Sequence, residues 1–316
     1  MYRLAILFAA CLAASMGACA PRFESAPRNA VHIAVIGDEA LVTRDGKELA
    51  LRHWEAQGET KAVIVAVHGM SDYSNAFDMP GQAWAKDGIT TIAYDQRGFG
   101  KNANPGVWAG ADAMRADLSD AVDAARLRYP GVPVFALGES MGGAVVLTAL
   151  ASPTPPRVDG AILVAPAVWS RADMPLTYRA ALFLAAHLIP GVILSNNAAS
   201  KVVTIVPSDN IEMLRALGRD PLFQKRTRTD TLYGLVNLMD EARTAPARLP
   251  PAPPLLLVYG ANDQVIPAKP TQAVIAELGN RATVHKYEKG YHMLLRDLQR
   301  AVVHKDVADW VLGRNN

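Results

Sequence analysis

Three residues of this chain have the types and the order needed for nucleophilic acyl transfer. Ser140 lies in LGESMGGAVVL (137–147), between Gly138 and Gly142 in a G-x-S-x-G spacing. A serine hydroxyl is a weak nucleophile, so it needs a base within hydrogen-bond reach, and the base needs an acid to orient it. His292, in GYHMLLRD, falls in a glycine-flanked loop rather than on an apolar face and suits the base. Asp263, in YGANDQVIP, suits the acid, and the chain order serine, aspartate, histidine is the one expected when a G-x-S-x-G serine is the nucleophile. The rival acid is Asp95, in AYDQRGFGKN, which precedes the serine and reads as part of a turn held by Arg97 and glycines. The rival reading of Ser140 is a hydroxyl that caps a helix, and the spacing alone does not decide between the two.

A tetrahedral intermediate also needs two backbone N–H groups aimed at its oxyanion. Met141, directly after the serine, offers one. Met70, in VHGMSDYS, offers the other, with Gly69 allowing the chain to come close and His68 holding the loop. Gly138 and Gly142 permit a sharp turn at the serine and close packing of the strand and helix on either side.

These groups have to be presented by a scaffold, and the apolar patterning says which. AVIVAV (62–67), ITTIAYD (89–95), VFALG (134–138), AILVAP (161–166) and LLLVYG (255–260) are continuous apolar runs, the pattern of strands buried on both faces. Helical periodicity runs over about 112–128, 142–150, 271–278 and 295–310, with a further helical stretch around AWAKDG. Alternating strands and helices predict an α/β fold with a mostly parallel central sheet covered by helices on both faces. Each candidate residue then follows a strand run, at the end of the sheet where ligands gather. Apolar positions at Ile33, Val35, Leu49 and Leu51 about a turn at Asp45-Gly46 predict two antiparallel strands at the start. A last strand is expected near TVHKYE. Residues 169–250 break the rhythm, with helical but no clear strand patterning, and prolines at 250, 251, 253 and 254 mark the return into the sheet. The expected organisation is an α/β core at 20–168 and 251–316 with an inserted helical cap at 169–250, preceded by residues 1–19.

Composition sets the remaining bounds. The chain has 316 residues, 50% of them hydrophobic, and its 32 basic and 30 acidic side chains leave a net charge of +2. No basic stripe suits a phosphate backbone, so nucleic acid is not an expected partner. Residues 1–19 read as an export signal, with Arg3, an apolar stretch from Leu4 to Leu12, then small residues. The apolar stretch is short for a bilayer core of about 30 Å, which argues against an uncleaved anchor. MGAC resembles a lipobox that would make Cys19 the lipidated first residue, and the alternative is cleavage after Ala20 at an A-x-A site. The expectation is a membrane-anchored lipoprotein facing the periplasm of a Gram-negative bacterium, otherwise a periplasmic or secreted protein. Both cysteines, Cys11 and Cys19, fall in or beside this segment, so no thiol nucleophile or disulfide is expected in the folded part. No metal-ligand spacing or phosphate-binding loop is visible, and no cofactor is expected.

Taken in order, VHGMSDYS, AYDQRGFGKN, LGESMGGAVVL, YGANDQVIP and GYHMLLRD resemble the α/β-hydrolases. More narrowly they resemble the monoacylglycerol lipase and lysophospholipase group, also described as serine aminopeptidase-like hydrolases. The resemblance covers about residues 62–313. It implies an eight-stranded core, Ser140, Asp263 and His292 as catalytic triad, Met70 and Met141 as oxyanion donors, and a cap that shapes an acyl pocket. Glu139 departs from it, since many relatives carry histidine before the serine. The activity implied is hydrolysis of carboxylic esters, monoacylglycerols or lysophospholipids, through an acyl-enzyme and at a membrane surface. The mostly apolar cap stretch MPLTYRAALFLAAHLIPGVILS would bind acyl chains and touch a membrane, or pack on the core. Two alternatives stand beside this. One is aminopeptidase or amidase action on small peptides, for which the acids of LMDEA (238–242) could hold an amino terminus. The other is a lipid-binding protein that has lost catalysis, which retention of all three triad residues disfavours.

Overall fold

The apolar runs fold as strands whose side chains are almost all buried, and they lie side by side in one sheet. The computed structural model describes residues 21, 23–24, 33–195 and 205–314; the export segment and Cys19 lie outside them. Chain order gives β1 (Val35–Ile36), β2 (Ala40–Val42), β3 (Glu48–Trp54), β4 (Ala62–Val67), β5 (Ile89–Tyr94), β6 (Val134–Glu139) and β7 (Gly160–Val164). After a long insertion come β10 (Leu255–Gly260) and β11 (Ala282–Tyr287). The sheet order among the described residues is β1-β2-β3-β5-β4-β6-β7-β10-β11. From β5 to β11 neighbours are parallel, and β1 to β3 add an antiparallel edge through the Leu51–Tyr94 register.

Parallel neighbours need crossovers, and helices supply them on both faces. On one face α1 (Asp78–Ala85) and α8 (Arg300–Val311) bury Trp84, Val303 and Val307 against Leu137 and Val164. On the other lie α2 (Ala111–Arg128), α3 (Met141–Leu150) and α7 (Ala268–Leu278), with Leu118, Val145 and Val274 in the core. Every residue of α3 is buried, which explains why its sequence is apolar all round rather than on one stripe. The strand order turns about β4, whose neighbours are β5 and β6. The loops leaving the carboxyl ends of β4 and β6 therefore flank a crevice, and these are the loops of Met70 and Ser140.

Three expectations need correction. Among the described residues the sheet has nine strands rather than eight, the extra one being the two-residue β1 at the edge. Ile33 is exposed and outside any strand; a turn at Gly37, whose N–H donates to Ala40 O at 2.8 Å, joins β1 to β2, and the Asp45-Gly46 turn joins β2 to β3. The region 169–250 is also not purely helical. It holds α4 (Leu176–Leu188), α5 (Ile211–Arg219) and α6 (Thr229–Thr244), but also a two-stranded antiparallel ribbon of β8 (Ile193–Ser195) and β9 (Arg226–Arg228). Strands of three residues, one of them Arg-Thr-Arg, carry no apolar alternation to read. The whole insertion leaves after β7 and returns at β10, which pairs with β7 in parallel.

Candidate active site

Ser140 occupies the single residue between β6 and α3, with φ 54° and ψ −114°. A non-glycine residue there costs on the order of 1–3 kcal/mol and persists only when its surroundings over-determine it. Here they do. Its N–H donates to Val164 O at 2.9 Å, and its carbonyl accepts from Ala144 N at 3.1 Å and Ala167 N at 2.9 Å. The flanking glycines serve space rather than dihedral freedom. A Cβ on Gly138 would stand 2.2 Å from Gly142 O, and one on Gly142 would stand 2.0 Å from Val67 O. The Ser140 side chain makes no capping bond to α3, so the helix-cap reading of the hydroxyl does not hold.

His292 and Asp263 meet from two loops at the same end of the sheet. Asp263 follows β10 and His292 follows β11, and His292 Nδ1 lies 2.8 Å from Asp263 Oδ2, both side chains buried. The other oxygen of Asp263 accepts the N–H groups of Val265 at 2.8 Å and Ile266 at 3.0 Å, which fixes the orientation of the carboxylate. With Nδ1–H donating to Asp263, Nε2 is left with a lone pair for a proton. The Asp263–His292 pair is therefore equipped to take a proton from a hydroxyl and return it.

The loop after β4 approaches the serine directly. A Cβ on Gly69 would lie 3.2 Å from Ser140 Cβ and 3.7 Å from its Oγ, so a side chain there would crowd the serine. Met70 follows, and Met141, as first residue of α3, has an N–H with no intrahelical partner and the positive end of the helix dipole behind it. His68 is fully buried. Its Nδ1 lies 2.8 Å from Gly69 O, and its Nε2 accepts from Gln96 N at 2.9 Å, a pattern that fixes one neutral tautomer. Burial holds its pKa below the ordinary histidine value. Asp95, the rival acid, is spent on backbone: it accepts from Ser74 N and Lys101 N, each at 2.8 Å.

Several residues without a motif of their own complete the site. Glu139 is buried and turned onto Arg296, whose Nη2 lies 3.2 Å from Glu139 Oε2 and 2.7 Å from Asp72 Oδ2. Asp297 accepts from Ser208 Oγ at 2.5 Å and from Tyr291 N at 2.7 Å, holding the backbone just before His292; burial raises its pKa to about 6. The insertion is anchored on these same loops. Gln224 N donates to Ser71 O at 2.8 Å, the Tyr73 hydroxyl to Asp220 at 2.7 Å, and Asn210 Nδ2 to Arg296 O at 2.9 Å. The acids of LMDEA are engaged elsewhere, Asp240 with Arg171 and Glu241 with Arg115.

Residues 58–299 match the family described as Serine aminopeptidase, S33. The monoglyceride lipase of Rattus norvegicus is 28% identical over 281 residues, covering 87% of this chain and 90% of the relative. The monoacylglycerol lipase of Mycolicibacterium smegmatis is 24% identical over 82% of this chain and 91% of its own. Among solved structures, a soluble variant of monoglyceride lipase from Saccharomyces cerevisiae, in complex with a substrate analog, superposes with a TM-score of 0.72. It is 16% identical and covers 94% of this chain and all of that one, a likeness of fold.

Proposed function

The chain belongs to the serine aminopeptidase S33 family of α/β-hydrolases, and we propose that it is a serine carboxylic ester hydrolase acting on monoacylglycerols or lysophospholipids. The observation that carries the reading is the buried Asp263–His292 hydrogen bond at the strand ends that also present the strained Ser140. In this reading Ser140 Oγ attacks the ester carbonyl carbon while His292 Nε2 takes its proton. The oxyanion forms against the N–H groups of Met70 and Met141. Collapse breaks the bond to the alcohol, His292 returns the proton to the departing oxygen, and an acyl-Ser140 ester remains. A water then attacks that ester, giving its proton to His292; the bond between the acyl carbon and Ser140 Oγ breaks, His292 returns the proton to Oγ, and the fatty acid leaves. Asp263 orients the imidazole and stabilises its charged form throughout. No metal or cofactor enters these steps.

The lipid nature of the substrate is supported by the relatives' names and by the insertion at 169–250, which this reading makes the cap over the acyl site. Its helix α4 exposes Leu176, Tyr178, Phe183, Leu184 and Leu188, a surface suited to a membrane that supplies the substrate. An export signal ending at Cys19, with lipidation there, would keep the enzyme at that surface. The aminopeptidase reading lacks its expected support, since the acids of LMDEA already serve Arg171 and Arg115.

Labelling with a fluorophosphonate probe tests the assignment. The wild-type chain should label, Ser140→Ala should not, and Asp263→Asn should keep the serine but lose several orders of magnitude in turnover through a misoriented imidazole. Continued labelling of the alanine variant would remove Ser140 from the nucleophile's place.

A further inference from the structure

We propose that Arg296 is a positioning residue for this reaction: with Asp72 and Glu139 it locks the three loops of the site together and keeps an excess negative charge beside His292. The inference rests on Ser140 as nucleophile. Its basis is the placement of the three side chains. Asp72 lies two residues after Met70, Glu139 directly precedes Ser140, and Arg296 lies four residues after His292. One guanidinium nitrogen thus bridges the oxyanion loop at 2.7 Å and the serine turn at 3.2 Å, from the loop that carries the base. All three residues are buried, at 2–5% exposure. Such a bridge gives Arg296 one well-defined position, and Asn210 fixes its backbone from the insertion as well.

A merely structural ion pair would be expected to satisfy its atoms, yet Asp72 Oδ2, Glu139 Oε1 and Arg296 Nε are buried without a hydrogen-bond partner, the Asp72 contact being an ion pair alone. Burial pushes the Glu139 pKa up, and Arg296 opposes that push; with both carboxylates ionised on the one cation, a surplus of negative charge is left in a dry place, where opposite charges interact strongly. His292 lies in the field of that surplus. Among the described residues, Asp263, Glu139 and Asp297 act on it as negative groups, and Arg296 and Asp72 are joined to Glu139. When Ser140 gives up its proton, the imidazolium is stabilised by this balance. A planar fork on a fixed stem suits a bridge between two loops, whereas the flexible point charge of lysine would hold them less firmly.

Removing Arg296 alone would strand two buried carboxylates and threaten folding, so the test uses the neutralised triple variant Asp72→Asn, Glu139→Gln, Arg296→Met, together with Glu139→Gln alone. With a soluble p-nitrophenyl ester, the triple variant should lose about ten- to a hundredfold in kcat with KM within about twofold. Arg296→Lys should fall between it and the wild type. Glu139→Gln keeps the Arg296–Asp72 pair, and it should move the acidic limb of kcat/KM to lower pH by several tenths of a unit or more, because less negative charge favours neutral His292. An unmoved acidic limb overturns the proposal, as does a folded triple variant with wild-type kcat. Should the triple variant not fold, the acidic limb decides alone. Fluorophosphonate labelling of the wild type checks the nucleophile separately: absence of labelling there would count against Ser140, while labelling with unchanged variants would count only against Arg296.

Discussion

At the residue scale, the site is built from side chains whose environments divide the work between them. His68 and His292 are both buried, yet His68 has both ring nitrogens committed to backbone, whereas His292 commits only Nδ1, to Asp263. The difference in partners, rather than in burial, suits one to bracing the loop and the other to the base of the proposed reaction. Asp297 is a third kind of group, a buried acid whose pKa is raised to about 6 chiefly by desolvation. For an acid with a raised folded-state pKa, the folded state binds more protons than the unfolded one between about pH 4 and 6. Its burial therefore costs nothing below pH 4, and the cost grows as pH rises to 6 and is constant above. Asp297→Asn removes the ionisation while keeping an acceptor for Tyr291 N–H, and the Ser208 hydroxyl can turn to accept from the amide. Its melting temperature relative to wild type should climb from pH 4 to 6 and level off beyond. A difference that stays flat across that range would place Asp297 at an ordinary carboxylate pKa.

At the element scale, the decisive contact is the close approach of α3 to β4 and β6 beneath Ser140. Gly142 makes it possible, since an added Cβ would lie 2.0 Å from Val67 O, a backbone atom in the middle of the sheet that cannot move aside. Gly142→Ala should cost about 1–3 kcal/mol or more and slow fluorophosphonate labelling, because α3 has to shift and carries Met141 N–H with it. Gly218, in the exposed last turn of α5, is the contrast. Nothing lies within 4 Å of an added Cβ, so Gly218→Ala should raise stability by roughly 0.5–1 kcal/mol without changing labelling. Urea melts of the two variants check both signs, and equal effects would mean that the packing under the serine is not special. The same elements show what a sequence discloses. The apolar runs and the residues after them were legible because strand, turn and chemistry are contiguous there: Ser140, Asp263 and His292 each follow their strand or its loop. The cluster beneath was not. Glu139 and Arg296 lie 157 residues apart, and no local pattern says that they meet. The β8–β9 ribbon escaped for another reason, its strands being too short to show a period and β9 being Arg-Thr-Arg.

At the scale of the whole molecule, one side of the insertion is fastened and the other is bare. Residues 207–210 and 220–224 hydrogen-bond to the loops of His292 and Met70, so that part of the insertion shares the rigidity of the site. Helix α4 buries only Ala186, while Leu176 is 73% exposed, Leu188 65% and Leu184 53%. Among the described residues no helix is long and apolar enough to cross a membrane, so a membrane role for α4 means lying on the surface rather than spanning it. Each fully buried leucine stabilises association by roughly 1.5–3 kcal/mol, and tenfold in affinity corresponds to about 1.4 kcal/mol. Replacing Leu184 and Leu188 together by aspartate should therefore raise the KM for monoacylglycerol in phosphatidylcholine vesicles about tenfold or more. Both sites are exposed, so stability should change little. Hydrolysis of a soluble p-nitrophenyl acetate should stay near wild type, because that substrate does not need a surface. An unchanged vesicle KM would show that α4 does not meet the lipid, whereas equal losses on both substrates would place these leucines in the path to Ser140 rather than at the membrane.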